Sequence, residues 1–292
     1  MTRRCSVLLL FLLVLPLILT VAVPKVLAQD ALTFTKIDVP NSGETDCNDI
    51  NTGGIIVGFY VDGFGIQHGF QRTTAGKFAK INYPGSSATL AYGINDKGQV
   101  VGWYLDSGGT AHGFKKVGTT FTTIDFPGAI ATNLWSINNN GDIVGSYADS
   151  GGVFHGMTDI GGTLKSVDYP QSTLSQLTGI NNKGQMVGLY LDSAGAQHGF
   201  TLANGHFHSV DFPKTGTMVT AIDRINDTGN YVGLYGSSSS GPFLGYTNFA
   251  KKFATVKVPG SAETRVRGLN NANQIVGRYT DNLGVIHGYT AK

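Results

Sequence analysis

The sequence predicts an all-β protein: a six-bladed β-propeller with four strands per blade, its ring closed by pairing of the N-terminal and C-terminal strands. Three observations carry this. A motif is written six times, a proline returns at a near-constant interval, and the two chain ends each hold part of one unit. The copies are DINTGGIIVGFYVDGFGIQHGF from Asp49, GINDKGQVVGWYLDSGGTAHGF from Gly93, SINNNGDIVGSYADSGGVFHGM from Ser136, GINNKGQMVGLYLDSAGAQHGF from Gly179, RINDTGNYVGLYGSSSSGPFLGY from Arg224 and GLNNANQIVGRYTDNLGVIHGY from Gly268. Pro40, Pro84, Pro127, Pro170, Pro213 and Pro259 stand 44, 43, 43, 43 and 46 residues apart. A fixed period in this range marks propellers and solenoids.

Within the unit at Gly179, LTGI reads as a strand, NNKG as a turn, QMVGLYL as a second strand, DSAG as a turn and AQHGFTL as a third strand. Asn-Gly then opens a fourth, HFHSVDF, which Pro213 ends. Runs rich in valine, isoleucine and aromatics between glycine and asparagine clusters are strand and hairpin signals, and four strands per unit is the blade pattern. No stretch after the leader has the period of a long amphipathic helix.

The first turn needs a residue at positive φ, filled by Gly54, Gly98, Gly141, Gly184 and Gly229 and, in the last copy, by Asn273. Asparagine is the side-chain-bearing residue that best tolerates that region. The asparagines opening the turn, Asn51, Asn95, Asn138, Asn181, Asn226 and Asn270, are suited to bonding the backbone two residues on, a scaffold role. Glycines recur in the second strand (Gly188 and its equivalents) and the third (Gly199 and its equivalents). A four-residue DSAG loop pairs Gly188 with Gly199, leaving a slot for a neighbouring blade, which tyrosines such as Tyr104, Tyr147 or Tyr190 are expected to fill.

The chain ends on a third strand, VIHGYTAK, without its fourth, while LTFTKIDV near the start is a spare fourth strand. Joining them completes the sixth blade and covers an exposed edge. No Trp-Asp dipeptide occurs, so this is not the WD type of propeller.

Residues 1–28 carry Arg3 and Arg4, an apolar run of 17 residues from Val7 to Val23, and a small-residue site ending at Ala28. This is the layout of a secretory signal peptide, leaving residues 29–292 as the propeller. Its removal takes away Arg3, Arg4 and Lys25, so 21 basic residues fall to 18 against 19 acidic ones. A near-neutral chain lacks the basic stripe that nucleic acid or an anionic membrane surface requires. Charged residues make up 14% of the chain and glycine 41 of 292 positions, as suits an all-β extracellular scaffold. Cys47 alone survives cleavage, so no internal disulfide is available. Its repeat equivalents, Ala91, Leu134, Leu177, Ile222 and Val266, are apolar, which predicts a buried thiol.

The units resemble the bacterial extracellular HAF-repeat family, whose members carry an IN-x-x-G-x-VVG core followed by a His-Ala-Phe triplet. Here the core stands as INDKGQVVG and INNKGQMVG, and the triplet as HGF at His68, His112 and His198, HGM at His155 and HGY at His287. The resemblance runs from Phe34 to the end, with glycine in place of the family's alanine. It implies a secreted bacterial repeat protein, extracellular or periplasmic, and implies no activity.

Asp62 and His68, Asp106 and His112, Asp149 and His155, Asp192 and His198, and Asp281 and His287 recur at a spacing of six. Acid–base or metal chemistry uses one such constellation, so five copies point to structure. The fifth unit has Ser237 and Leu244 instead. His206 and His208 share one face of a strand without a third ligand nearby, and an exposed outer strand explains them. Calcium, phosphate-loop and nucleophile-elbow motifs are absent, so neither metal nor cofactor is expected.

The informative positions are those where the copies differ. Two residues before each repeated Ile or Leu stand Asn48, Tyr92, Trp135, Thr178, Asp223 and Arg267; two further back stand Asp46, Leu90, Asn133, Gln176, Ala221 and Arg265. Strand alternation places both rows on one side, near the central opening. The candidate binding residues are therefore Asp46, Asn48, Tyr92, Asn133, Trp135, Gln176, Asp223, Arg265 and Arg267. They suit a monomeric binding module for carbohydrate or an extracellular protein partner. The alternatives are a hydrolase or lyase using Asp46 or Asp223 at the same mouth, and a purely structural envelope protein.

Overall fold

The computed structural model describes residues 32–292; the leader expected over residues 1–28 lies outside them. The described residues hold 24 strands, Phe34–Ile37 to Ile286–Ala291, and no helix. In the fourth unit, Leu174–Ile180, Met186–Leu191, Gln197–Ala203 and His206–Val210 pair antiparallel in sequence order. The same order recurs throughout. Two eight-stranded sheets are each two blades touching through one parallel pair, Gln197↔Val219 and Glu44↔Ile286, so the strands group into six blades of four.

The sixth blade takes its outer strand from the other end of the chain. Phe34–Ile37 pairs antiparallel with Ile286–Ala291, from Phe34↔Ala291 to Ile37↔Gly288. An edge that would otherwise lie bare is thereby covered, as the sequence predicted.

The turn asparagines do more than cap their own turns. Asn181 Oδ1 accepts from the backbone N–H groups of Lys183 and Gln185, both at 3.0 Å. Its Nδ2 donates to the carbonyl of Asn226, the equivalent residue one blade on, at 2.9 Å. The same link runs from Asn51 to Asn95, Asn95 to Asn138, Asn138 to Asn181 and Asn226 to Asn270. The last, from Asn270 to Asn51 at 3.2 Å, spans 219 residues of sequence and completes the circuit. The turns take the predicted backbone, with φ of 73° at Gly184 and 60° at Asn273.

Two expectations need correction. The second turn is five residues long, Asp192 to Ala196, so Gly188 pairs with Phe200 and Gly199 with Leu189. One added residue shifts a hairpin by one and separates the glycines. The slots are also filled differently. A Cβ at Gly199 would lie 2.8 Å from Cγ1 of Ile222, and one at Gly288 2.7 Å from Cys47 Sγ. Apolar residues of the next innermost strand therefore enter the third-strand slots. The tyrosines instead stack on the aromatic residue before each proline: Tyr104 on Tyr83 at 3.7 Å, Tyr147 on Phe126 at 3.8 Å and Tyr190 on Tyr169 at 3.7 Å.

The core lies between blades. Cys47 packs with Ile37, Ile56, Phe70 and Val276, and burial pushes its thiol pKa up, so it is held protonated as a small apolar group. Phe70, Phe114, Phe200, Tyr246 and Tyr289 are fully buried, each worth roughly 2–3 kcal/mol of removed apolar surface.

Candidate functional site

Every innermost strand carries a β-bulge at the same place. The register slips between Cys47 and Asp49, Ala91 and Gly93, Leu134 and Ser136, Leu177 and Gly179, Ile222 and Arg224, and Val266 and Gly268. The extra residue in each case is Asn48, Tyr92, Trp135, Thr178, Asp223 or Arg267, one complete row of the variable positions. A bulge leaves one residue out of the ladder and re-aims its side chain. It also explains the second-strand glycine. A Cβ at Gly188 would stand 2.0 Å from the Gln176 carbonyl oxygen just before the bulge, and Gly58, Gly102, Gly233 and Gly277 face the equivalent carbonyl at 1.9 to 2.0 Å.

These residues line a recess of about 420 Å³ on the axis of the ring. Asn48, Tyr92, Trp135, Gln176, Asp223 and Arg267 contribute to it as the sequence predicted, together with Thr178, Leu189 and Arg224. Asp46, Asn133 and Arg265 do not line it, because the bulge breaks the alternation that would have put them beside the first row. Asp46 is buried behind the wall, 3.4 Å from Arg278 Nη1, and Arg265 Nε is held by Glu263 at 2.6 Å. Asn133 pairs with Ser146 on the second strand. Asp46 and Asp223 therefore do not share one lining, as a two-carboxylate hydrolase would need.

One wall is aromatic. Tyr92 meets Trp135 edge to face at 4.5 Å and 87°, and lies nearly parallel to Trp103 at 6.4 Å and 17°. Trp135 Nε1 donates to Ser146 Oγ at 3.0 Å, which fixes the indole. Burial pushes the Tyr92 hydroxyl up to about 12, against the pull of Arg267, so it remains neutral. The opposite wall is polar. Arg267 Nη1 lies 3.4 Å from Asp223 Oδ1. Burial raises the Asp223 pKa, while the charges of Arg267 and Arg224 hold it down. Asn48 Oδ1, Asp223 Oδ2 and Arg267 Nε are buried and make no hydrogen bond to the described residues. With Arg224 Nε, that makes four orphaned polar atoms around one recess, which is unusual, since nearly all buried polar groups find a partner.

The floor of the recess is Arg224, which the sequence reading missed. It is 6% exposed, and its guanidinium donates to the carbonyls of Thr178 and Asp223 and, across the axis, to those of Tyr92 and Trp135. Its Nε lies 3.2 Å from Asp49 Oδ1 without hydrogen-bond alignment, so charge holds that pair. At this repeat position the other units have Gly93, Ser136, Gly179 and Gly268. One acid and one base among small residues was the available signal. Leu189 was also missed; the row before the second-strand tyrosine, Phe59, Trp103, Ser146, Leu189, Leu234 and Arg278, varies as strongly as the rows that were read.

Beyond Arg224 the axis opens into a second hollow of about 450 Å³, lined by the turn asparagines and their neighbours. Its polar groups are committed to one another: the N–H groups of Asp96, Asn139, Asn182 and Asp227 donate to Asn139, Asn182, Asp227 and Asn271 of the next blade at 2.7 to 2.9 Å. Unused hydrogen-bonding capacity is concentrated in the aromatic-walled recess.

The repeated histidines lie near the blade rims. His112 sits between Asp106 at 3.5 Å and Asp125 at 2.7 Å, His155 between Asp149 and Asp168, and His198 between Asp192 and Asp211. His287 lies between Asp281 and Asp38, and His68 between Asp62 and Asn82. The hydrogen bond His112 donates to Asp125 raises its pKa, and the one His155 donates to Asp168 does the same. For His198 burial opposes the rise and Asp211 outweighs it. The five-fold recurrence fits the structural role read from the sequence. His206 and His208 are exposed on the outer strand His206–Val210.

The sequence matches no protein-family model and no curated relative. Solved structures do share the fold. AofleA from Arthrobotrys oligospora superposes with a TM-score of 0.56 at 11% identity, covering 89% of this chain and 86% of that one. A variant of the Aleuria aurantia lectin in complex with Fucalpha1-6GlcNAc gives 0.55 at 10%, covering 88% and 93%. SapL1 lectin in complex with alpha methyl fucoside gives 0.56 at 9%, covering 85% and 93%. The Aleuria aurantia lectin is described as a six-bladed beta-propeller. At these identities the likeness is one of fold: the chain is a β-propeller similar in architecture to these lectins.

Proposed function

We propose that this chain is a secreted carbohydrate-binding module whose ligand occupies the axial recess above Arg224. The observation that carries the reading is the pairing of an aromatic wall, Tyr92 and Trp135 with Trp103 beside Tyr92, with the orphaned polar atoms of Asn48, Asp223 and Arg267. A sugar ring has an apolar face for stacking and hydroxyls that both donate and accept, and those are the two kinds of contact the recess leaves unfilled. Several solved propellers of this architecture are lectins captured with fucosides, which supports a saccharide over a peptide as first choice. The paired arginines speak against a strongly anionic ligand here, since Arg224 and Arg267 are already matched by Asp49 and Asp223. The leader-like layout of residues 1–28 and the resemblance to HAF repeats support secretion.

A glycan array probed with residues 29–292 tests this, with Trp135→Ala and Trp135→Phe in parallel. Wild type binds a subset of neutral glycans, Trp135→Ala lowers affinity about tenfold or more, and Trp135→Phe retains most of it. Binding that survives Trp135→Ala unchanged would place the ligand elsewhere, and a blank array would remove carbohydrate as the ligand class.

A further inference from the structure

Blade V, the fifth unit, departs from the repeat where four other blades place an Asp–His–Asp arrangement and the first an Asp–His–Asn one. Tyr235 pairs with Leu244 as Tyr190 pairs with His198, so Leu244 takes the histidine position. Lys257 follows Val256, opposite Gly245, as Asp211 follows Val210, opposite Gly199. Ser237 stands where Asp192 opens the turn in blade IV. The linker into blade V is also longer: the hydrogen bond anchoring it, Phe212 N–H to Thr220 Oγ1, spans eight residues where Tyr169 N–H to Ser175 Oγ spans six.

Together these changes open a cavity of about 650 Å³ lined by Lys214, Thr217, Ser237, Pro242, Leu244 and Lys257. It shares no lining residue with the axial recess. Of the two carboxylates of the ordinary blade, one has given way to the Ser237 hydroxyl and one to the Lys257 ammonium, and Lys214, where other linkers carry Asn41, Gly85, Gly128 or Gln171, adds a second ammonium. The acids flanking these segments are occupied elsewhere, Asp211 by His198 at 2.8 Å and Glu263 by Arg265 at 2.6 Å. Lys214 Nζ lies 5.8 Å from the centroid of the Tyr235 ring, whose other face is covered by Phe212. Thr217 Oγ1 is buried with no hydrogen-bond partner. Pro242 and Leu244 form the apolar part of the lining.

We infer that this cavity is a second ligand site, for a sugar ring bearing a carboxylate or sulfate. The oxyanion pairs with Lys214 and Lys257, a ring hydroxyl satisfies Thr217, and the apolar ring face lies on Pro242 and Leu244.

Calorimetric titration of the protein with galacturonate, galactose 6-sulfate, galactose and inorganic sulfate tests the assignment. The two acidic sugars are expected to bind about tenfold or more tightly than galactose or free sulfate, with affinity falling as salt rises. Lys214→Met with Lys257→Met weakens them about tenfold or more. Leu244→His with Lys257→Asp, which reinstates the residues four other blades carry at these two positions, abolishes binding in a scaffold already compatible with them. Trp135→Ala leaves this binding unchanged, which separates the site from the axial recess. Equal affinity for galactose, sulfate binding as tight as the sulfated sugar, retention in both double variants, or no heat with any acidic sugar would each overturn the proposal.

Discussion

Replacing Arg224 by methionine tests the central feature of the axis. The guanidinium is buried, donates to four carbonyls from three other elements and its own strand, and faces the buried carboxylate of Asp49. Burial already raises the Asp49 pKa, and Arg224 is the largest influence opposing that rise. Removing the cation leaves a buried carboxylate held only by backbone donors, the Ile94 N–H at 3.1 Å and the Ile50 N–H. Breaking a buried pair this way costs about 3–5 kcal/mol. At roughly 2 °C per kcal/mol for a chain of this size, Tm falls by about 6–10 °C. Adding Asp49→Asn removes the stranded charge and keeps an acceptor for Ile94, so the double variant recovers a large part of the loss. Differential scanning calorimetry at pH 7 reads all three. A single variant within about 2 °C of wild type, or a double variant less stable than the single, would refute the account of Arg224 as a charge-compensated plug.

Gly188→Ala places a Cβ 2.0 Å from the Gln176 carbonyl oxygen and 2.7 Å from the Phe200 ring, whereas Gly195→Ala meets nothing and bears only the strain of a φ of 81°. Urea denaturation should show a loss of about 3 kcal/mol or more for the first and about 1 kcal/mol for the second; equal losses would remove the bulge explanation. The raised pKa values of His112, His155 and His198 give a pH dependence of defined sign. A raised histidine pKa adds stability that is complete below the unfolded value near ~6.5 and is lost as pH rises through the folded value. The partner acids Asp106, Asp149 and Asp192 have lowered pKa values, held chiefly by the N–H groups of Thr110, Val153 and Ala196, and their contribution is lost only as pH falls below about 4. Tm should therefore drop by about 2–4 °C between pH 5.5 and 8, and a triple His→Gln variant should flatten that slope. An equal slope in the variant would show that other groups set it.

The blade V cavity and the rim histidines are two outcomes of one scaffold position. Where histidine and its acids are present, the space between hairpin and linker is filled and hydrogen-bonded. In blade V leucine and lysine occupy the same register with a longer linker, and the space stays open.

What the sequence determined by itself was the strand plan of each unit and what the period implies. Strand order, turn positions, the left-handed residues at Gly184 and Asn273, the buried place of Cys47 and the completion of the last blade by Phe34–Ile37 follow from alternation, turn chemistry and a count of strands at each end. Most of the nine residues that line the recess stand in rows whose variation on a constant frame is visible when the copies are aligned. Tertiary structure decided the remainder. Whether Asp46, Asn133 and Arg265 reach the recess depends on a bulge that alternation does not encode, and whether Gly188 meets Gly199 depends on one residue in a turn. Arg224 becomes the floor of the recess only because a closed ring brings Asp49, Tyr92 and Trp135 within its reach. Local rules set each blade, whereas contacts across the axis exist only once all six stand in a circle.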